Sequence, residues 1–140
     1  MFKIQCSTFL LIFVKYVTTL NIDDFGTRPN DKSFDAAVIN GKAIFQAINA
    51  ANNGLDRTVI IDGTWGKIYT MVPAGSYNNL INVTIQIDGR VNAWEGDIKK
   101  WPQSSGGSTS MFQIFNSENL TIRGNGIVDG IGYNWWYNNN

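Results

Sequence analysis

The sequence predicts an all-β fold: the first coils of a right-handed parallel β-helix with an N-terminal capping α-helix. Three observations lead there. A stretch of strand-like sequence is echoed 37 residues later. Short β segments follow one another with no helical periodicity between them. One segment alone has helical spacing, and it precedes nearly all of the β segments.

The echo is the most informative of these. Asn82-Val-Thr-Ile-Gln-Ile-Asp-Gly-Arg-Val-Asn-Ala93 aligns with Asn119-Leu-Thr-Ile-Arg-Gly-Asn-Gly-Ile-Val-Asp-Gly130, sharing Asn, Thr, Ile, Gly and Val in register. A strand, a glycine bend and a second short strand, repeated, is the pattern of stacked repeat units. Such a unit cannot bury its apolar face alone, and stacking makes the core continuous. The offset is longer than a bare coil, so it requires an inserted loop. Trp101-Pro-Gln-Ser-Ser-Gly-Gly-Ser-Thr-Ser110 has the composition of one. The competing reading is a chance match between two hairpins.

The elements follow in order. Residues 1–20 read as a signal peptide, with Lys3 ahead of the apolar run Phe9 to Val14. That run is too short to span a bilayer. The competing reading is a buried N-terminal strand. The signal reading implies a secreted, extracellular chain whose mature part, residues 21–140, holds the cap and first coils and has lost Cys6. Asn21 to Asp35 reads as a short strand entering a polar turn. Asn40 to Asn52 is the helix: Ile44, Ala47, Ile48 and Ala51 recur at helical spacing, Asn40 is the expected N-cap and Gly54 the stop. Its narrow face of small residues suits a helix laid flat over an open sheet edge. Strands are expected at Thr58–Ile61, Ile68–Val72, Val83–Ile87, Met111–Phe115, Leu120–Ile122 and Ile127–Val128.

Composition narrows the function. The chain is 44% hydrophobic and 16% charged, with eleven basic and eleven acidic residues, so it is globular and carries no basic stripe for nucleic acid. It has no His and one Cys. Ser-His triads, His-ligated metals, thiolate metal sites and internal disulfides are therefore excluded. No cofactor and no metal is expected. Seventeen Asn and fourteen Gly suit a chain with many tight bends.

Asp24-Phe-Gly-Thr27, followed by Gly41-Lys-Ala-Ile-Phe-Gln-Ala-Ile48, resembles the opening of pectin-lyase-fold proteins. Asn119-Leu-Thr-Ile-Arg-Gly-Asn-Gly-Ile-Val-Asp-Gly-Ile-Gly132, followed by Trp135-Trp136, looks like the early rungs of the polygalacturonase family of glycoside hydrolases. The resemblance runs from Asn21 to Trp136. It implies a monomeric parallel β-helix that hydrolyses pectin-type galacturonan with inversion, taking the polysaccharide as its partner and needing no cofactor. Inversion uses an acid and a base about 6.5–9.5 Å apart. The family draws them from an Asn-Thr-Asp strand, an Asp-Asp pair, a Gly-His-Gly turn and an Arg-Ile-Lys segment. None of these occurs at a matching position, so no catalytic residue is expected, and the departure reads as truncation. Two other readings stand beside it: a non-catalytic carbohydrate-binding or scaffold β-helix, and a calcium-dependent polysaccharide lyase of the same fold.

Candidate sites remain. Asp23-Asp24 reads as a solvated edge rather than a carboxylate dyad, since a dyad needs a cleft and partners. Gly124-Asn-Gly126-Ile-Val-Asp-Gly130 fails the dinucleotide spacing and reads as turns. Trp94, Trp101, Trp135 and Trp136, with Tyr133 and Tyr137, are candidates for packing or for stacking on sugars. Trp136 and Tyr133 are the chosen substrate-binding candidates. In a strand, Trp135 and Trp136 would point opposite ways. Asn82-Val-Thr84 and Asn119-Leu-Thr121 are glycosylation sequons. Their matched positions equally suit an Asn ladder between stacked segments.

Overall fold

Ser33 opens the long helix. Its hydroxyl oxygen accepts a hydrogen bond from Ala36 N at 3.2 Å, satisfying one of the free N–H groups of the first turn. The helix, α1, runs over Phe34–Asn53 and ends at Gly54. The computed structural model describes residues 19–137. All but the last two residues of the expected leader lie outside the described residues, as does Cys6.

The strands are short. In chain order they are β1 (Leu20–Asn21), β2 (Thr58–Ile61), β3 (Ile68–Met71), β4 (Tyr77–Asn78), β5 (Thr84–Ile87), β6 (Arg90–Ala93), β7 (Gln103–Ser104), β8 (Gly107–Ser108), β9 (Ile114–Phe115), β10 (Thr121–Arg123) and β11 (Ile127–Asp129). A six-residue helix, α2, covers Gly132–Tyr137. The strands form a parallel sheet β1-β2-β5-β10, a parallel sheet β11-β6-β3, a parallel pair β4-β9 and an antiparallel hairpin β7-β8.

The all-β parallel β-helix expectation is corrected here. The fold is mixed α/β, with small sheets of two to four short strands, one of them antiparallel. The reason lies in α1. It is 20 residues long, and Ala36, Ala37, Asn40, Gly41, Ala43, Ile44, Ala47, Ile48 and Ala51 are buried. It packs on β2 and β3 and is a layer of the core, not a lid on an all-β body. It lies close against the residue that follows β3: a Cβ on Gly41 would stand 1.9 Å from the Val72 carbonyl oxygen.

The helix also starts earlier than expected. Asn40 is not a cap but a buried residue in mid-helix. Its Oδ1 accepts from Arg28 N at 2.7 Å, and its Nδ2 donates to Arg28 O at 3.1 Å and Thr70 O at 2.9 Å. The expected strand at Met111–Phe115 shrinks to Ile114–Phe115. The segment around Trp136 is helical rather than extended.

The echo itself is realised as pairing. Thr121 stands opposite Thr84 and Ile127 opposite Arg90, both at the offset read in the sequence. The register extends upstream, where Tyr77 pairs with Ile114. Inward positions of β2, β3, β5 and β6 (Val59, Ile61, Tyr69, Ile85 and Val91) are buried in one apolar cluster with Ile44 and Ile48 of α1. Each such side chain contributes about 1.5–3 kcal/mol. The same inward columns continue to Ile122 and Val128, where they are exposed.

Candidate functional site

Three bends stack where the first parallel sheet passes into the second. They carry Gly63, Gly89 and Gly126. Gly89 N donates to Ile61 O at 2.9 Å, and Gly126 N to Ile87 O at 2.8 Å. A Cβ on Gly63 would lie 2.1 Å from Asp88 O, and one on Gly126 2.1 Å from Gly89 O. No side chain fits between these backbones, so the bends leave an open groove of about 300 Å³. Lys67, Asp88, Arg90 and Asn125 stand along it, with Ile68 and Ile127 as its apolar side chains.

One end of the groove is held by a charge network. Lys67 Nζ lies 2.7 Å from Asp23 Oδ2 and 2.5 Å from Asp62 Oδ2. Tyr69 Oη donates to Asp23 Oδ1 at 2.9 Å, and the Thr27 hydroxyl donates to the same oxygen. Thr64 binds Asp62 twice, through its N–H at 3.0 Å and its hydroxyl at 2.5 Å. Burial pushes the Asp23 carboxyl up, but the hydrogen bonds from Lys67, Thr27 and Tyr69 outweigh it and hold its pKa below the usual range. Asp62 is pulled down to about 2 by Lys67 and Thr64. The two carboxylates raise Lys67 in turn. Burial first, and then Asp23, push Tyr69 up.

At the other side Arg90 donates from Nη2 to Asp129 Oδ2 at 2.7 Å and from Nε to Asn92 Oδ1 at 2.9 Å. The Ile131 N–H and Arg90 hold Asp129 below its ordinary value. Gln86 Nε2 donates to Asp88 Oδ2 at 2.6 Å. Asp23, Asp62 and Asp129 are thus all shifted downward. The acid of an inverting pair needs the opposite shift. None of these three carboxylates carries that shift.

No known protein family, curated protein or solved structure matches this chain. The likeness to polygalacturonases therefore rests on the residues quoted from the sequence.

The predicted site residues fall in several places. Asp23 and Asp24 form no dyad: Asp23 faces Lys67, while Asp24 Oδ2 accepts from Asn21 N at 3.4 Å. Trp94 packs on Phe34 with ring centroids 4.7 Å apart, and its Nε1 donates to Lys32 O. Trp101 is buried, with Nε1 donating to Thr109 O at 2.7 Å. Both are packing residues. Tyr133 and Trp136 lie exposed on α2 and do not line the groove. The Tyr133 and Tyr137 rings stand 4.4 Å apart.

Asn82 and Asn119 sit in register in the left-handed region, at φ 55° and 50°. Asn119 Nδ2 donates to Asn82 Oδ1 at 3.0 Å, the contact expected of a ladder. Asn79 and Asn116 repeat the conformation at φ 56° and 48°. Among the described residues no three His, Cys, Asp or Glu stand together as a metal site, and no helix is long and apolar enough to cross a membrane.

One residue escaped sequence reasoning altogether. Trp65 is 96% exposed and has φ 59°. Its only local signal is the sequence Gly63-Thr-Trp-Gly66, an aromatic bracketed by glycines.

Proposed function

We propose that this chain is the polysaccharide-holding, non-catalytic part of a secreted glycoside hydrolase acting on pectin-type galacturonan, the activity that its resemblance to polygalacturonases implies. The observation that carries this reading is the glycine-floored groove. It is open, and Lys67, Asp88, Arg90 and Asn125 stand along it, with Lys67 paired to Asp23 and Asp62 and Arg90 paired to Asp129. A galacturonan chain carries a carboxylate on every sugar and hydroxyls around it. The groove offers hydrogen-bond donors on Lys67, Arg90 and Asn125 for the first, and donors and acceptors together for the second.

In this reading the segment acts as a monomer, with neither nucleic acid nor membrane as partner. Trp136 and Tyr133 give a second exposed aromatic surface on α2 for the same polymer. Affinity electrophoresis through gels containing polygalacturonate tests it. The expected result is retarded migration, with no reducing ends released from the polymer. Migration indifferent to the polymer would refute the binding role, and clear release of reducing ends would refute the non-catalytic one.

A further inference from the structure

We propose that Trp65 is a pre-set sugar-stacking platform on the rim of the glycine-floored groove, receiving the apolar face of one pyranose ring of a bound oligosaccharide. The inference deepens the carbohydrate reading above and rests on it. Trp65 has 96% of its surface in water, the largest value among the exposed large hydrophobic side chains. It stands in the turn whose Gly63 and Gly66 both line the groove.

Its backbone is unusual for its type. At φ 59° and ψ 23° it occupies the left-handed region, where a bulky side chain is an outlier and Gly or Asn is the unstrained choice. Such outliers collect at binding sites, where the surrounding structure over-determines them. The surroundings here do so. On one flank Thr64 is tied to Asp62 through both its N–H and its hydroxyl. On the other, Lys67 is tied to Asp23 and Asp62. The indole is carried by an anchored turn, so little ordering is left for the moment of binding.

The ligand class follows from the groove that the neighbouring Gly63, Gly66 and Lys67 line. An exposed aromatic carried on a turn that borders charged and amide groups suits a ring with one apolar C–H face and a polar rim. Arg90 spends Nε and Nη2 on Asn92 and Asp129, leaving Nη1 without a partner among the described residues. Arg90 lines the groove, and a guanidinium N–H suits a sugar carboxylate.

The test is calorimetric titration of the 140-residue chain with an oligogalacturonate and with a neutral galacto-oligosaccharide, for the wild type, Trp65→Gly, Trp65→Asn and Trp65→Phe. Gly and Asn relieve the left-handed strain while removing the indole, so both variants should melt at or above the wild-type temperature. Each should bind oligogalacturonate about tenfold more weakly. Trp65→Phe should fall between. Binding by folded Trp65→Gly within twofold of wild type overturns the platform and leaves the galacturonan reading standing. Wild-type binding of the neutral sugar alone, lost in Trp65→Gly, supports the platform and overturns the galacturonan reading. Binding of neither probe overturns both.

Discussion

Asn40→Ala should destabilise the chain by about 3–4 kcal/mol, a large fraction of the total expected for a domain of this size. Asn40 is fully buried and makes three hydrogen bonds through one side chain. The bond to Thr70 O is buried, and leaving that carbonyl unsatisfied costs about 1–3 kcal/mol. The two bonds to the Arg28 backbone are partly buried, where water reaches the freed groups, and each is worth about 0.5–1.5 kcal/mol. Urea unfolding followed by far-ultraviolet circular dichroism measures the difference, read as a shift in midpoint at constant slope. Asn40→Asp is the sharper control. It keeps an oxygen for Arg28 N but replaces the amide donor with a carboxylate facing two carbonyls, so it should be no better tolerated than alanine. A loss below about 1 kcal/mol for Asn40→Ala would refute the claim that this side chain ties α1 to β3.

Three further outcomes follow. Gly41→Ala would stabilise an exposed helix by about 1 kcal/mol, but here the new Cβ meets the Val72 carbonyl oxygen at 1.9 Å, so thermal melts should show a clear loss. Asp23 and Asp62 have pKa values lowered by folding, so their stabilisation is present above about pH 4 and is lost as pH falls toward the value of about 2 held by Asp62. Lys67, raised by folding, stabilises below about pH 10.4 and loses that contribution as pH rises through its folded value. Lys67→Met should therefore flatten the acid limb of melting temperature against pH, and an unchanged limb would rule the network out. Asn119→Val forces a β-branched residue to φ 50° and should cost about 1–2 kcal/mol by differential scanning calorimetry, while Asn119→Gly should cost much less.

What could be read in the sequence was local or repeated. The echo was legible because stacked positions want the same residue: Thr84 and Thr121 pair, and Asn82 and Asn119 share both a left-handed conformation and a hydrogen bond. The fold class is hidden by Asn40, which masks the true start of the helix at Phe34. Asn is a poor mid-helix residue and a good cap, so it looked like a start. Its true partners, Arg28 and Thr70, are distant in sequence, and the six helical residues before it include the buried Ala36 and Ala37. The charge network was invisible for the same reason, since Asp23 and Lys67 are 44 residues apart. Trp65 carries no periodicity, and its exposure depends on a turn that no local pattern marks beyond the flanking glycines.

The groove and the fold share one cause. Parallel strands stacked in register must turn at the same place on every pass, and here each turn brings one backbone almost onto the next. Asp88 O sits where a Gly63 Cβ would be, and Gly89 O where a Gly126 Cβ would be. Glycine at those bends is therefore a packing requirement before it is a functional choice. The consequence is a line of bends with no side chains over them. Whatever flanks that line becomes the wall of a groove, and here the flanks are Lys67, Asp88, Arg90 and Asn125. A groove arises with no side chain of the floor contributing to it. In the proposed reading, specificity resides in the flanks, and the Asp62 to Lys67 turn, anchored by Thr64 and Lys67, is the flank that carries Trp65.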